Sequence, residues 1–367
     1  MNRRRYLPVV VLLVVIALLP TLLAPARAHG AEISRDFTFA AGNLDLVNLI
    51  GAIDVRQGAG NQFRVTVNLR GDDMTADLVK LEQDAGTLNI RFPLEQHSTY
   101  VYPALGRNSS TTTTLHEKDA TERSWLRRTF GLLAGKRLTV RGKGSGLEAW
   151  ADVTIEVPSG STLTVRNTVG AVSAADLKAD LDLQTSVGGM DVQKLQGNLI
   201  LDTGSGSVTV TDVEGNLNVD TGSGDVALRD CSGQNAMLDT GSGHVEVNGL
   251  RVTTLNIDTG SGSVVARGLG ADEGKIDTGS GDVEIQMDRI GEGRFLLDTG
   301  SGNVELVLPS DASVQVTADT GSGDVDSKVP GKSFEKLDDG RRRLVLGDGA
   351  AEVRMDTGSG SVTVSRK

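Results

Sequence analysis

Asp258-Thr259-Gly260-Ser261-Gly262-Ser263-Val264-Val265-Ala266 is a turn signal that runs into alternating apolar positions, and it recurs along the chain. The string D-T-G-S-G begins at Asp202, Asp220, Asp239, Asp258, Asp277, Asp298, Asp319 and Asp356. The spacings are 18, 19, 19, 19, 21, 21 and 37 residues; the last is near two periods, as though one unit had lost its motif. Six residues after each aspartate stands a valine: Val208, Val226, Val245, Val264, Val283, Val304, Val325 and Val362. Immediately before each aspartate stand Leu201, Val219, Leu238, Ile257, Ile276, Leu297, Ala318 and Met355. Alternate residues on both sides of the turn are therefore apolar, the period-2 mark of strands with one buried face. A unit of about 19 residues cannot bury its own apolar face, but copies stacked about 4.8 Å apart bury a continuous column. The predicted fold is all-β: a single-domain parallel β-solenoid, about 19 residues per rung, with the eight valines as its core ladder. Right-handed coiling is favoured by analogy with the crossover rule for parallel strands.

The motif also describes its corner. Glycines at the third and fifth positions suit φ > 0 or a close approach of backbones. The eight aspartates are expected to cap the turn by accepting hydrogen bonds from N–H groups ahead of them. Asn48-Leu49-Ile50-Gly51 and Asn167-Thr168-Val169-Gly170 read as earlier corners with Asn in the aspartate slot, and Gln184 to Gly189 as another. Cys231 falls where Val213 sits one unit earlier, which makes it a small core residue.

Outside the repeats the chain divides as follows. Residues 1–28 read as a signal peptide: Arg3, Arg4 and Arg5, an apolar run from Leu7 to Leu23, then Ala26-Arg27-Ala28. An uncleaved membrane anchor is the alternative; Pro20, Pro25 and the A-x-A site favour cleavage. The mature protein is then exported, periplasmic or extracellular, with no membrane span. Residues 29–96 read as an N-terminal β rung and cap. Residues 97–150 read as a low-complexity insertion around Ser109 to Thr114, with a short helix over 122–133. Trp125, Arg127, Arg128 and Phe130 on that helix are candidate partner-binding residues. Residues 151–367 carry the repeats, with a hairpin near 333–347 predicted to protrude. The final rung ends at Val364 with no cap after it, an edge suited to end-to-end self-association.

Charge and composition exclude several classes. Loss of residues 1–28, which hold Arg3, Arg4, Arg5, Arg27 and no acid, moves the formal charge from −11 to −15. A surface that acidic repels phosphate backbones, so nucleic acid is not an expected partner. Aromatics make up 3% of residues while glycines number 46, so the core must be built from small β-branched side chains. The single cysteine cannot form an internal disulfide.

D-T-G-S is also how aspartic-peptidase loops read. Those enzymes need two loops facing each other with one proton shared between two carboxylates, which eight copies at rung spacing do not supply. The stacked aspartates are expected to stand as capped, hydrated carboxylates without a cofactor, with a calcium ladder as the alternative. Against calcium, the slot after the second glycine varies (Ser207, Asp225, His244, Asn303), so no constant ligand set forms. The four histidines show no metal-ligand spacing. Gly131 to Arg137 is one residue short of a phosphate-binding loop and lacks its Ser or Thr.

Val153-Thr154-Ile155-Glu156-Val157-Pro158, then Leu163 to Gly170, then the D-T-G-S-G-x-V rungs resemble a bacterial family of exported β-strand-repeat domains known only as "putative adhesin". The resemblance covers about residues 36–95 and 151–367 and implies a fold but no catalytic residues. Three readings of function follow. The first is a structural or adhesive scaffold of the cell envelope, binding an envelope protein or polysaccharide without catalysis. The second is an accessory of envelope-stress sensing that works through partner binding. The third, a carbohydrate-active β-helix enzyme, needs a cluster of acids and bases breaking the rung period, and the sequence shows none.

Overall fold

The computed structural model describes residues 32–114 and 136–367. The signal peptide expected over 1–28, the short helix expected over 122–133, and Trp125, Arg127, Arg128 and Phe130 lie outside the described residues.

Each repeat lays a strand on one face, turns at the D-T-G-S-G corner, lays a strand on a second face and turns again. On the first face Leu199–Ser205, Leu217–Ser223, Asn235–Thr240, Thr254–Thr259, Glu273–Thr278 and Arg294–Thr299 pair in that order, all parallel. Val208–Glu214, Val226–Ser232, Val245–Arg251, Val264–Ala271, Val283–Ile290 and Val304–Leu308 do the same on the second. One long strand, Val172–Val187, runs from the second face into the first. The eight valines of the motif form one in-register column, ending Val304, Val362, Val325, and all are buried. Valine suits this place because its branched side chain is stiff and packs well on a pleated surface. Burying each contributes about 1.5–3 kcal/mol relative to exposure. Cys231 lies in the same core, over Leu250, and burial raises its thiol pKa.

At the N-terminal end the chain's first rung, Asn43–Ile50 and Ile53–Gln57, pairs with Ser161–Val169 and with Val172 onward. It is not outermost. On the second face Trp150–Val157 lies beyond it, followed by Gln62–Arg70 and Ile33–Ala40, both antiparallel. On the first face the hairpin of Lys80–Asp84 and Thr87–Arg91 closes the edge. Trp150–Val157 therefore belongs with the cap and not with the repeats that follow it, because Ala151, Val153, Ile155 and Val157 complete the cap's buried side.

The insertion is more ordered than its composition suggests. Thr99–Val101, Ser110–Thr114, Arg137–Arg141 and Leu147–Glu148 form a separate four-stranded sheet. The Ser/Thr run, read as low-complexity loop, is a strand, since a run of threonines keeps the strand preference of a β-branched residue. Tyr100, Leu138 and Val140 of this sheet join the main core, with Tyr100 edge-on to Phe92 at 5.9 Å.

The C-terminal end departs furthest from expectation. Ala351–Thr357 and Val362–Arg366 are the last strands in sequence, yet they are not the last rung in space. They lie between Arg294–Thr299 with Val304–Leu308 on one side, and Val314–Thr320 with Val325–Ser327 on the other. The 37-residue spacing is thus no lost repeat. The chain skips a layer after Leu308, builds the end rung, and returns to fill the gap. The hairpin near 333–347 does form, from Glu335–Lys336 and Arg342–Leu346. It does not protrude: Arg342–Leu346 runs antiparallel along Val314–Thr320 and buries Leu344 and Leu346, closing the first face. The second face ends in a strand of only three residues, Val325–Ser327. Short and covered end strands blunt pairing with other chains, so the rung expected to offer an open edge is an interior one. Among the described residues no helix is long and apolar enough to cross a membrane.

Candidate functional site

The corners stack into a ridge, and each motif position becomes a column along it. The aspartates run in register from Asp202 through Asp220, Asp239, Asp258, Asp277 and Asp298 to Asp356 and Asp319. Their side chains face outward from the first face, one strand spacing apart, and do not meet across a cleft. Lys275 pairs with Asp277 at 2.9 Å and Arg354 with Asp356 at 2.6 Å. Burial, then the charges of Asp220 and Asp258, raise the pKa of Asp239. Burial, then Asp277 and Asp356, raise that of Asp298 against the opposing pull of Arg354 and Lys275.

The aspartates are expected to accept from N–H groups; the bond that the corner shows comes from the neighbouring threonine and goes to a carbonyl. Thr203, Thr221, Thr240, Thr259, Thr278, Thr299, Thr357 and Thr320 each donate a hydroxyl hydrogen bond to the carbonyl of the fifth-position glycine in the adjacent layer, at 2.7–3.2 Å. The earlier corners follow the same rule. Asn167 pairs with both Asn48 and Thr185, so asparagine occupies the threonine slot and not the aspartate slot. Its amide donates to Gly51 O at 2.9 Å, and that of Asn48 to Ala151 O at 2.9 Å. The residue facing inward must donate; the residue facing outward is free to vary, which is why Arg166 and Gln184 precede the aspartates in their column. Thr278→Val keeps the shape and removes the donor. It should cost about 1–2 kcal/mol in urea unfolding, with Thr278→Ser recovering most of that loss. A valine variant as stable as the wild type would remove the hydroxyl from this account.

A second ladder runs through the slot whose variation argued against a ligand set. His244 N–H donates to Asp225 Oδ1, Ser263 N–H to His244 Nδ1, Asp282 N–H to Ser263 Oγ, and Asn303 N–H to Asp282 Oδ1. Ser361 N–H continues it to Asn303 Oδ1 and Asp324 N–H to Ser361 Oγ. From Asp225 to Ser361 residue type varies while the function, a side-chain acceptor for the next layer's N–H, does not. At the other corner Asn198, Asn216 and Asn235 repeat the device, starting from Asp180. These ladders satisfy backbone donors that a turn would otherwise leave to water.

A cavity of about 400 Å³ opens between the cap and the first face, lined by Val47, Leu49, Leu78, Ile90, Phe92 and Leu94 with Lys80, Glu82 and Arg91 among its polar groups. The sequence reading missed it. The signal was Val47, an apolar residue in the column that later carries Arg166, Gln184 and the aspartates.

No curated relative matches the chain. Among solved structures it is similar to a "putative adhesin" from Parabacteroides merdae, at 10% identity and TM-score 0.42, covering 91% of this chain and 96% of that one. It is similar also to a "putative adhesin" from Parabacteroides distasonis, at 12% identity and TM-score 0.40, covering 91% and 97%. A "putative lipid binding protein" from Parabacteroides distasonis aligns at 12% identity and TM-score 0.38, with the same coverage of 91% and 97%. Over residues 43–365, from the first inner rung to the returning last strand, the sequence matches the family model Toastrack DUF4097, and the chain belongs to that family.

Proposed function

We propose that this protein is an exported, non-catalytic scaffold of the bacterial cell envelope, coiled right-handed, that holds a polymer or protein partner along its corner ridge without a cofactor. The observation that carries the reading is the in-register aspartate column, flanked by exposed serines and a ladder of side-chain acceptors over the same layers. A surface that repeats every 4.8 Å or so offers one weak contact many times over. Such contacts add up for a ligand that itself repeats. The ridge is acidic and rich in acceptors, so it suits a polymer bearing hydroxyl or amino groups better than an anionic one.

The test is a glycan array and pull-down with the protein lacking residues 1–28, beside two variants. One carries Asp220→Asn, Asp239→Asn and Asp258→Asn; the other carries Trp125→Ala, Arg127→Ala, Arg128→Ala and Phe130→Ala. Binding of a repeating polymer that weakens at least tenfold in the triple variant supports the ridge. Binding that survives there and vanishes in the quadruple variant moves the site to those four residues. No binding at all removes the scaffold reading.

A further inference from the structure

We propose that the C-terminal rung, residues 351–367, exchanges between copies of this chain, the same rung of a second copy filling the slot between the 294–308 layer and the 314–327 layer. This is independent of polymer binding. It also differs from end-to-end stacking, because the edge involved is internal.

The slot exists because chain order and spatial order disagree. Withdrawing the last rung leaves Arg294–Thr299, Val304–Leu308, Val314–Thr320 and Val325–Ser327 with unpaired edges facing a gap one layer wide. That gap fits one sequence pattern. Ala351, Val353, Met355, Val362 and Val364 fill its interior, each at most 1% exposed. Thr357 donates to Gly302 O, and Gly360 O receives Thr320. A second copy carries the identical rung and makes the identical bonds, so the two forms differ only in the hinge and in the entropy of association. Reciprocal exchange closes a two-fold dimer and leaves no slot open.

The hinge is what keeps the rung at home. Leu346 and Ala351 flank the same residue, Val314, from opposite sides. Residues 347–350 must therefore arch across a strand, a span of about 9.6 Å, or two strand spacings. Gly347 (φ +61°) and Gly349 (φ +71°) make the arch, and a Cβ on Gly347 would lie 2.8 Å from Ser313 Oγ. That hydroxyl accepts from the N–H of Asp348 at 2.9 Å and of Ala350 at 3.3 Å. Five Cα–Cα steps reach about 17 Å when extended, whereas two reach about 7 Å, short of that span.

Deletion of Asp348, Gly349 and Ala350 should therefore give a dimer in size-exclusion chromatography with light scattering, with a melting point within a few degrees of the wild type. Full-length chains labelled at the C-terminus with donor or acceptor dyes should develop energy transfer on mixing just below the melting temperature, severalfold faster for Ser313→Ala. A folded, monomeric deletion variant overturns the proposal. Should that variant fail to fold, the full chain is cut at a protease site placed in residues 347–350 and offered a labelled peptide of residues 351–367. Uptake that displaces the native segment supports exchange; a native segment that stays while the peptide remains free overturns it.

Discussion

Gly262→Ala should destabilise the protein by about 3 kcal/mol or more, at the upper end of what overpacking costs, read as a fall in the urea midpoint. An added Cβ would lie 1.7 Å from Gly243 O and 2.4 Å from Gly243 C. Both are backbone atoms, so no side chain can swing aside. The neighbour cannot retreat either: Gly243 is stacked on Gly224 in the same way, and a Cβ there would lie 2.0 Å from Gly224 O. Separating the layers would stretch the bond from Thr259 to Gly243 O and the one from Val245 N–H to Ser263 O, which join these same two layers. Close approach, not backbone dihedral, is what demands glycine here. Gly60→Ala is the control, since nothing lies within 4 Å of its Cβ, and it should change stability by less than about 0.5 kcal/mol. A Gly262→Ala protein that unfolds with the wild type would mean that neighbouring corners have room to part, and the close-stacked corner would no longer explain the motif.

The repeats were legible because local pattern and global fold agree in them. Val208 through Val304 alternate with polar residues at period 2, and the turn between strands is too regular to be anything but a shared corner. What was not legible concerns order in space. Nothing local in Ala351–Thr357 says that it pairs with Arg294–Thr299 and not with the end of the stack, since every layer offers the same valines and the same threonine. Identical units make pairing partners interchangeable, so only the hinge across Val314 and the closing strand Arg342–Leu346 decide the outcome. Trp150–Val157 escaped for the same reason: its alternation fits any edge, and it lies beyond the first rung, not after it. At the corner the error was chemical. Aspartate and threonine are adjacent, both can bond a turn, and only the side of the sheet each faces tells which one does. The in-register partner of Asn167 is Thr185, and the earlier corners had held that information in their glycine positions.

The aspartate column makes the stability of this protein depend on pH in an unusual direction. Adjacent carboxylates about 4.8 Å apart repel by roughly 1 kcal/mol in water and more near a protein surface. Asp239 and Asp298 sit inside the row, and burial plus like-charged neighbours hold their pKa values above the ordinary carboxylate range. The unfolded chain keeps ordinary aspartates, which ionise near pH 3.9. Below that pH both states hold the protons of Asp239 and Asp298, and these two side chains cost nothing. As pH rises, the unfolded state ionises first, and the stability that protonation gave is lost as pH passes through the raised folded values. Other acids follow the opposite course, among them Asp339, whose pKa its hydrogen bond with Arg341 lowers; a difference measurement cancels them. Asp239→Asn with Asp298→Asn removes two interior charges, and the amides can join a ladder like that of Asn198, Asn216 and Asn235. The double variant should exceed the wild type by about 1–2 kcal/mol at pH 7, from like-charge contacts of up to about 1 kcal/mol each, and added salt should shrink that margin by screening the exposed row. Between pH 7 and pH 3 the two denaturation midpoints should converge. A margin that stays constant across that range would mean that the carboxylates do not repel, and that the ridge is held by contacts in which their charge takes no part.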